Sequence, residues 1–242
     1  MSDFAVQLAR RVLLPVTLLL SFMILLGVLV TRVLDKAWPF TVEDTVNREL
    51  AADRAGGWND VSLVFSTLAS TPVIIAVTAL VAVVLRLVLH RWREPLFLCA
   101  AVTAQALVFF LTTLAIDRKR PAVEHLDVSP PTSSFPSGHT SASVALYVGI
   151  ALLLALRAKS TAAKATWWTL LVLVPIGVAV ARLYRGMHHP SDVAASFVNG
   201  GICVAIMARA VLDRTLRWGK AALPGLTPSG GDVTAARAPA GG

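Results

Sequence analysis

Charge is scarce in this chain. Asp, Glu, Lys and Arg make up 15% of its 242 residues, whereas apolar types make up 56%, and the mean hydropathy is +0.70. A soluble domain carries about a quarter of its residues charged, so this composition excludes one and indicates an integral membrane protein. Cysteine is nearly absent. Cys99 and Cys203 both fall inside apolar runs, so no disulfide framework is indicated, and neither reports the compartment. Acidic residues are the scarcer sign, 14 against 22 basic, for a net charge of +8. That excess does not mark nucleic-acid binding, because the Lys and Arg lie mostly in short stretches between apolar runs, as topogenic signals do. Also missing are a P-loop, G-x-S-x-G and H-E-x-x-H, which removes the commonest other hydrolase readings.

What is present is a series of long apolar runs. Val12–Val30 is the first. It is longer than a signal-peptide core and no small-residue cleavage site follows, so it reads as a retained span. Val61–Leu89, with Pro72 as a kink, is the second; Pro95–Ile116 the third; His139 to Leu156 the fourth. Thr166–Leu183, containing Pro175, is the fifth and Val193–Leu212 the sixth. Between the first two spans, Trp38 and Phe40 mark an interface and Thr41-x-x-Asp44 a helix start. Val42, Val46 and Leu50 form an apolar stripe opposite Asp44 and Arg48. Glu49 and Asp53 fall back towards that stripe, so a helix lying on the membrane and an ordinary solvated helix fit about equally well. The fold expected is all-α: a six-transmembrane-helix bundle with a short amphipathic interfacial helix between the first and second spans. Residues 1–216 form the membrane domain and 217–242, low in large apolar residues, a disordered cytoplasmic tail.

Six spans put both termini on one side. Arg10/Arg11, Arg86/Arg91/Arg93, Arg157/Lys159/Lys164 and Arg214/Arg217/Lys220 share it, which makes it the cytoplasmic side. The opposite face nevertheless carries cations in two loops, as expected if they serve a ligand. Asp117-Arg118-Lys119-Arg120-Pro121 closes the third span, Phe135-Pro136-Ser137-Gly138-His139 opens the fourth, and Arg182 to Asp192 joins the fifth to the sixth. A helix beginning at Ser137-Gly138 aims free backbone N–H groups at the loop side. With Arg118, Lys119, Arg120 and Arg182 nearby, that site suits a phosphate. Pro190 suits the first turn of the last helix, Asp192 falls in that turn, and from there Asp192 can reach back to one ring nitrogen of His188. A histidine so oriented is primed as a nucleophile or base, and His139 supplies a second acid–base group.

These residues resemble the type 2 phosphatidic acid phosphatase superfamily, membrane lipid phosphatases that share their site with vanadium haloperoxidases. The family pattern is K-x6-R-P, P-S-G-H and S-R-x5-H-x3-D. Pro136-Ser-Gly-His139 matches the second motif in full. Arg182-x5-His188-x3-Asp192 matches the third except that Ala181 replaces its serine, and Arg120-Pro121 matches the end of the first. Thr113 stands where the family has lysine. The resemblance implies that His188 attacks phosphorus and forms a phosphohistidine, that Asp192 orients it, and that His139 protonates the leaving group and then activates water. It further implies that Arg120, Arg182, Ser137 and the Gly138 amide hold the phosphate oxygens, with no metal or other cofactor. Arg118 or Lys119 is expected to cover for the missing lysine, Arg118 preferentially because its guanidinium grips phosphate through two hydrogen bonds.

Competing readings are weaker. His139, His188, His189 and Asp192 match no usual zinc spacing and lack a thiolate. His189 reads as a loop neighbour, and His90 and His125 as interfacial or solvated residues. Glu124 and Asp127 read as gating residues or as part of a solvated loop. A non-catalytic lipid-phosphate binder or transporter on the same scaffold has only Thr113 in its favour. The expected partner is a lipid phosphate drawn from the membrane: polyprenyl diphosphate such as undecaprenyl diphosphate, phosphatidate or phosphatidylglycerol phosphate. The Ala/Arg-rich composition fits a bacterial inner membrane with the site facing the periplasm.

Overall fold

The computed structural model describes residues 2–212, so the proposed tail at 217–242 lies outside the described residues. Eight helical segments are used below: α1 (Ala5–Val33), α2 (Glu43–Ala52), α3 (Gly56–Leu68), α4 (Thr71–Leu89), α5 (Arg93–Ala115), α6 (Gly138–Ala155), α7 (Thr161–Tyr184) and α8 (Pro190–Leu212). All but α2 and α3 are long and apolar enough to cross a membrane, which gives the six spans expected. Helices suit that solvent because every interior N–H and C=O is satisfied within the segment.

The spans are not equivalent. Helices α5, α6 and α8 pack together at the centre, and α6 is the most enclosed, with 61% of its apolar window buried against 11% for α4. Leu19, Met23, Phe97, Leu98, Leu146 and Cys203 fill this core. Leu25, Leu80, Leu87 and Leu170 face outward, as lipid-facing residues do.

The second apolar run departs from its expected form. The sequence reads Val61–Leu89 as one span kinked at Pro72, but the chain breaks at Ala69–Ser70 and Pro72 sits in the first turn of α4. Proline lacks an N–H and crowds the preceding turn, so it starts a helix more readily than it bends one. Helix α3 instead packs along α7, with the Phe65 ring over Gly177.

The short helix between the first two spans is present as α2, following a 3-10 turn at Phe40–Val42. Its buried residues are Glu43 and Asn47, whereas Val46 and Leu50 are only half-buried and Val42 is exposed. The helix therefore docks through polar groups.

Candidate active site

The His188 loop is shaped by a glycine. Helix α7 ends with the Gly186 N–H on the Leu183 carbonyl at 2.9 Å and the Met187 N–H on the Arg182 carbonyl at 3.0 Å. This paired closure requires a left-handed residue. Gly186 has φ +72°, and a Cβ there would come within 2.7 Å of Val123 Cγ2. The chain then turns into α8, where Pro190 lies in the first turn and the Asp192 carboxylate accepts from the His189 N–H at 2.8 Å, as the sequence order anticipates.

His188 is 4% exposed, and its Nδ1 lies 2.8 Å from the Ser134 carbonyl. A carbonyl only accepts, so Nδ1 carries the proton and Nε2 keeps its lone pair. Asp192 Oδ2 is 3.8 Å from the same nitrogen. This corrects the expectation that Asp192 holds the ring directly. Its carboxylate is taken by its own helix start, the Ser134 hydroxyl and the Arg118 guanidinium. Ser134 joins the two, receiving His188 at its carbonyl and donating to Asp192 from its side chain. Burial pushes His188 down to about 4 against the opposing pull of Asp192, so its ring is neutral at neutral pH.

His188 opens on a cavity of about 900 Å³ whose head also holds His139, Arg120 and Arg182 and whose body lies between α4 and α5. Arg120 donates from Nη1 to the Met187 carbonyl at 2.7 Å. Arg182, 3% exposed, donates from Nη1 to Asp127 at 2.5 Å and to the Ser66 hydroxyl at 2.8 Å. The Nε of each arginine is buried without a partner among the described residues. Both arginines line the cavity and bring positive charge to its head, which suits an anion. Arg185 in turn donates to Asp127 from Nε at 2.9 Å and Nη2 at 2.6 Å. Burial works to raise the Asp127 carboxyl, but Arg185 and Arg182 prevail and hold it below its ordinary value.

Other expected phosphate ligands lie elsewhere. Ser137 is fully buried and caps α6, its hydroxyl accepting from the Thr140 hydroxyl at 3.0 Å and its N–H spent on Ser196 at 2.7 Å. It does not line the cavity. Gly138 does, but the space a Cβ would need there is filled by the Phe109 ring at 2.8 Å. Arg118 turns away, donating to Asp192, to the Ser191 hydroxyl at 2.7 Å and to Glu43 at 2.6 Å. Lys119 is exposed beside a second cavity of about 290 Å³, which Arg118 also lines. Neither cation takes the place of the family lysine, because both follow the end of α5 at Ala115 on a strand of loop directed towards α2. Thr113 is buried, with its hydroxyl on the Phe110 carbonyl at 2.8 Å.

Three residues in the site, Ser134, Arg185 and Glu43, carry no signal in the sequence that marks them as site residues, and a fourth, Asp127, carries an open one. Ser134 lies beside P-S-G-H without a motif of its own, and Asp127 reads as either a gating residue or a solvated loop acid. Arg185 looks like one more basic loop residue. Glu43 looks like the exposed start of an amphipathic helix, yet it accepts from the Ser191 N–H at 2.7 Å as well as from Arg118. His189 is buried, with Nε2 3.9 Å from Asp44, on the side of the second cavity. Among the described residues no group of three His, Cys, Asp or Glu is placed to hold a metal ion.

A helical membrane bundle with histidines and buried arginines at the head of an apolar cavity is the architecture of an integral-membrane enzyme acting on phosphorylated lipids. The family model of the PAP2 superfamily matches residues 68–216, and the chain belongs to that family of membrane lipid phosphatases. Its fold is similar to that of the transmembrane PAP2-type phosphatidylglycerolphosphate phosphatase of Bacillus subtilis. The two superpose with a TM-score of 0.72 at 19% identity, over 84% of this chain and 98% of that one. It is also similar to LpxE of Aquifex aeolicus, with a TM-score of 0.55 at 21% identity over 72% of this chain and 98% of that one. At these identities the likeness is one of fold. No curated protein sequence matches significantly.

Proposed function

We propose that this protein hydrolyses the terminal phosphate of a lipid phosphate or diphosphate through a phosphohistidine on His188. The observation that carries the reading is a neutral, buried His188 whose Nδ1 is tied to the Ser134 carbonyl, leaving Nε2 free at the head of a lipid-sized cavity. In the first step Nε2 bonds to phosphorus while the bond to the leaving oxygen breaks, and His139 gives that oxygen a proton. In the second step His139 takes a proton from water, whose oxygen displaces the histidine and releases inorganic phosphate. Arg120 and Arg182 bring their guanidinium charge to the phosphate oxygens as charge shifts in the transition state. Asp192 stabilises the imidazole at 3.8 Å and through Ser134. Arg118 acts through Asp192. Ser137 shapes the start of α6, where backbone N–H groups remain available to an anion.

The reaction needs no metal ion. Polyprenyl diphosphate, phosphatidate and phosphatidylglycerol phosphate all present the required phosphate on an apolar tail. The Lys and Arg distribution supports both termini in the cytoplasm of a bacterial cell, with the site on the periplasmic side of the inner membrane. The test is phosphate release by purified protein in detergent. His188→Ala is expected to lower turnover by at least about a thousandfold, and labelled substrate to leave an acid-labile phosphate on wild type alone. Activity is expected to survive EDTA and to be inhibited by vanadate. Normal turnover by His188→Ala rejects the mechanism, and activity lost to EDTA and restored by one divalent ion rejects its metal independence.

A further inference from the structure

Gln105 is an unusual residue for its position. It lies in the interior of α5, well inside a membrane-spanning helix, and is 3% exposed. Its Oε1 accepts from the Ser141 hydroxyl at 2.9 Å, and its backbone carbonyl accepts from Asn199 Nδ2 at 3.2 Å. The Ser141 bond ties the end of the side chain to α6, and the same hydroxyl lies 3.3 Å from the Gly138 carbonyl. Its Nε2 has no acceptor among the described residues, and Gln105 lines the same cavity as His139, His188, Arg120 and Arg182. A tied amide facing apolar walls at membrane depth, with its donors unsatisfied, calls for an acceptor supplied by whatever fills the cavity.

The level of the amide indicates which acceptor. Ser141, which holds it, lies three residues beyond Gly138, about 4.5 Å along α6 from the head of the cavity. A lipid whose phosphate is at the head therefore places at Gln105 the atoms that follow the phosphate by a few bonds. In an ester-linked glycerol phosphate those atoms include an acyl carbonyl. In a polyprenyl monophosphate they are hydrocarbon and offer no acceptor, whereas in a polyprenyl diphosphate they include the oxygens of the second phosphate. In an ether-linked glycerol phosphate the carbonyl is gone.

We propose that Gln105 is a specificity contact that reads the ester linkage of the substrate, setting this chain towards ester-linked glycerolipid phosphates and away from polyprenyl monophosphates. The inference rests on the lipid phosphatase reading of the same cavity and adds a contact outside the reacting centre.

The experiment compares kcat/KM for a diacylglycerol phosphate, its dialkyl ether analogue and a polyprenyl phosphate, using the purified full chain in mixed micelles of one detergent. Wild type is expected to favour the diacyl over the dialkyl lipid by about tenfold, the worth of one hydrogen bond, and over the polyprenyl lipid by at least as much. Gln105→Met, similar in volume but without a donor, is expected to bring the diacyl-to-dialkyl ratio close to one. Ser141→Ala, which releases the amide, narrows the same ratio. A merely structural role lowers all three substrates together and leaves the ratio intact, which overturns the proposal. Equal rates on diacyl and dialkyl lipids by wild type overturn it without any variant. Hydrolysis of all three without preference refutes the Gln105 contact alone, whereas failure to release phosphate from any of them refutes the phosphatase reading and this inference with it.

Discussion

Ser134 performs at the scale of one residue what the sequence assigns to Asp192. Its carbonyl fixes the His188 tautomer, and its hydroxyl fixes the carboxylate beside it. Motif spacing cannot reveal this, because the decisive atom belongs to the backbone of a loop whose path is set by distant contacts. One is the Ser134 N–H on the Arg118 carbonyl at 2.9 Å. The identity of His188, His139, Arg120 and Arg182 as cavity residues was legible, since each sits at a helix end where charge is costly without a purpose. The consequence for His188 is measurable. Burial holds its ring neutral until the pH falls to about 4, below the ordinary 6.5. Protonation fills the Nε2 lone pair, so competence of the nucleophile is lost as pH falls through that lower value and is complete above it. NMR titration of labelled histidine, assigned with His188→Asn, is expected to give one ring with a midpoint near 4. A midpoint near 6.5 would show that the ring is solvated.

Among the elements, α2 shows where pattern reading stops. Its apolar spacing predicts a stripe at Val42, Val46 and Leu50, yet the face that docks carries Glu43 and Asn47. An amphipathic pattern reports which residues avoid water; it does not report a buried carboxylate satisfied by one arginine and one helix N-terminus. Glu43, Arg118 and Asp192 form a line from α2 to the start of α8. Removing Arg118 deprives two buried carboxylates of their shared cation, whereas removing the Glu43 charge leaves Arg118 with Asp192 alone. Glu43→Gln is expected to lower kcat about tenfold, the scale of one charge-assisted hydrogen bond, with little change in KM. Arg118→Lys is expected to retain more activity than Arg118→Ala. A rise in KM with kcat unchanged in these variants would place Arg118 on the phosphate after all, as the sequence suggests. The break before Pro72 was half legible: the proline marked the spot, but whether it bends one helix or begins another depends on the packing of α3 against α7.

For the whole molecule, the number and order of the spans were legible because bilayer thickness imposes a run of about 20 apolar residues on every crossing helix. Hydropathy separates the spans only in part: α1 and α4, the least enclosed, are the most apolar at 2.7, and α6, the most enclosed, is the least at 1.5, yet α7 at 1.7 is only 28% buried where α8 at the same value is 50% buried. Here the distinction rests on small and polar contacts such as Gln105, Ser141 and Asn199 between α5, α6 and α8. Single cysteines at Glu124 and Ser160 are expected to label from opposite sides, Glu124 from outside the cell; labelling of both from one side would refute the proposed orientation. Asp192 has a consequence for descent. Fully buried, it binds Arg118, Ser134 and the start of α8, so its loss loosens three segments at once. His139 makes no comparable hydrogen bond among the described residues. A lineage drifting away from catalysis would therefore shed His139 early and keep Asp192 long afterwards, and the aspartate in a distant relative is a record of ancestry more than of activity.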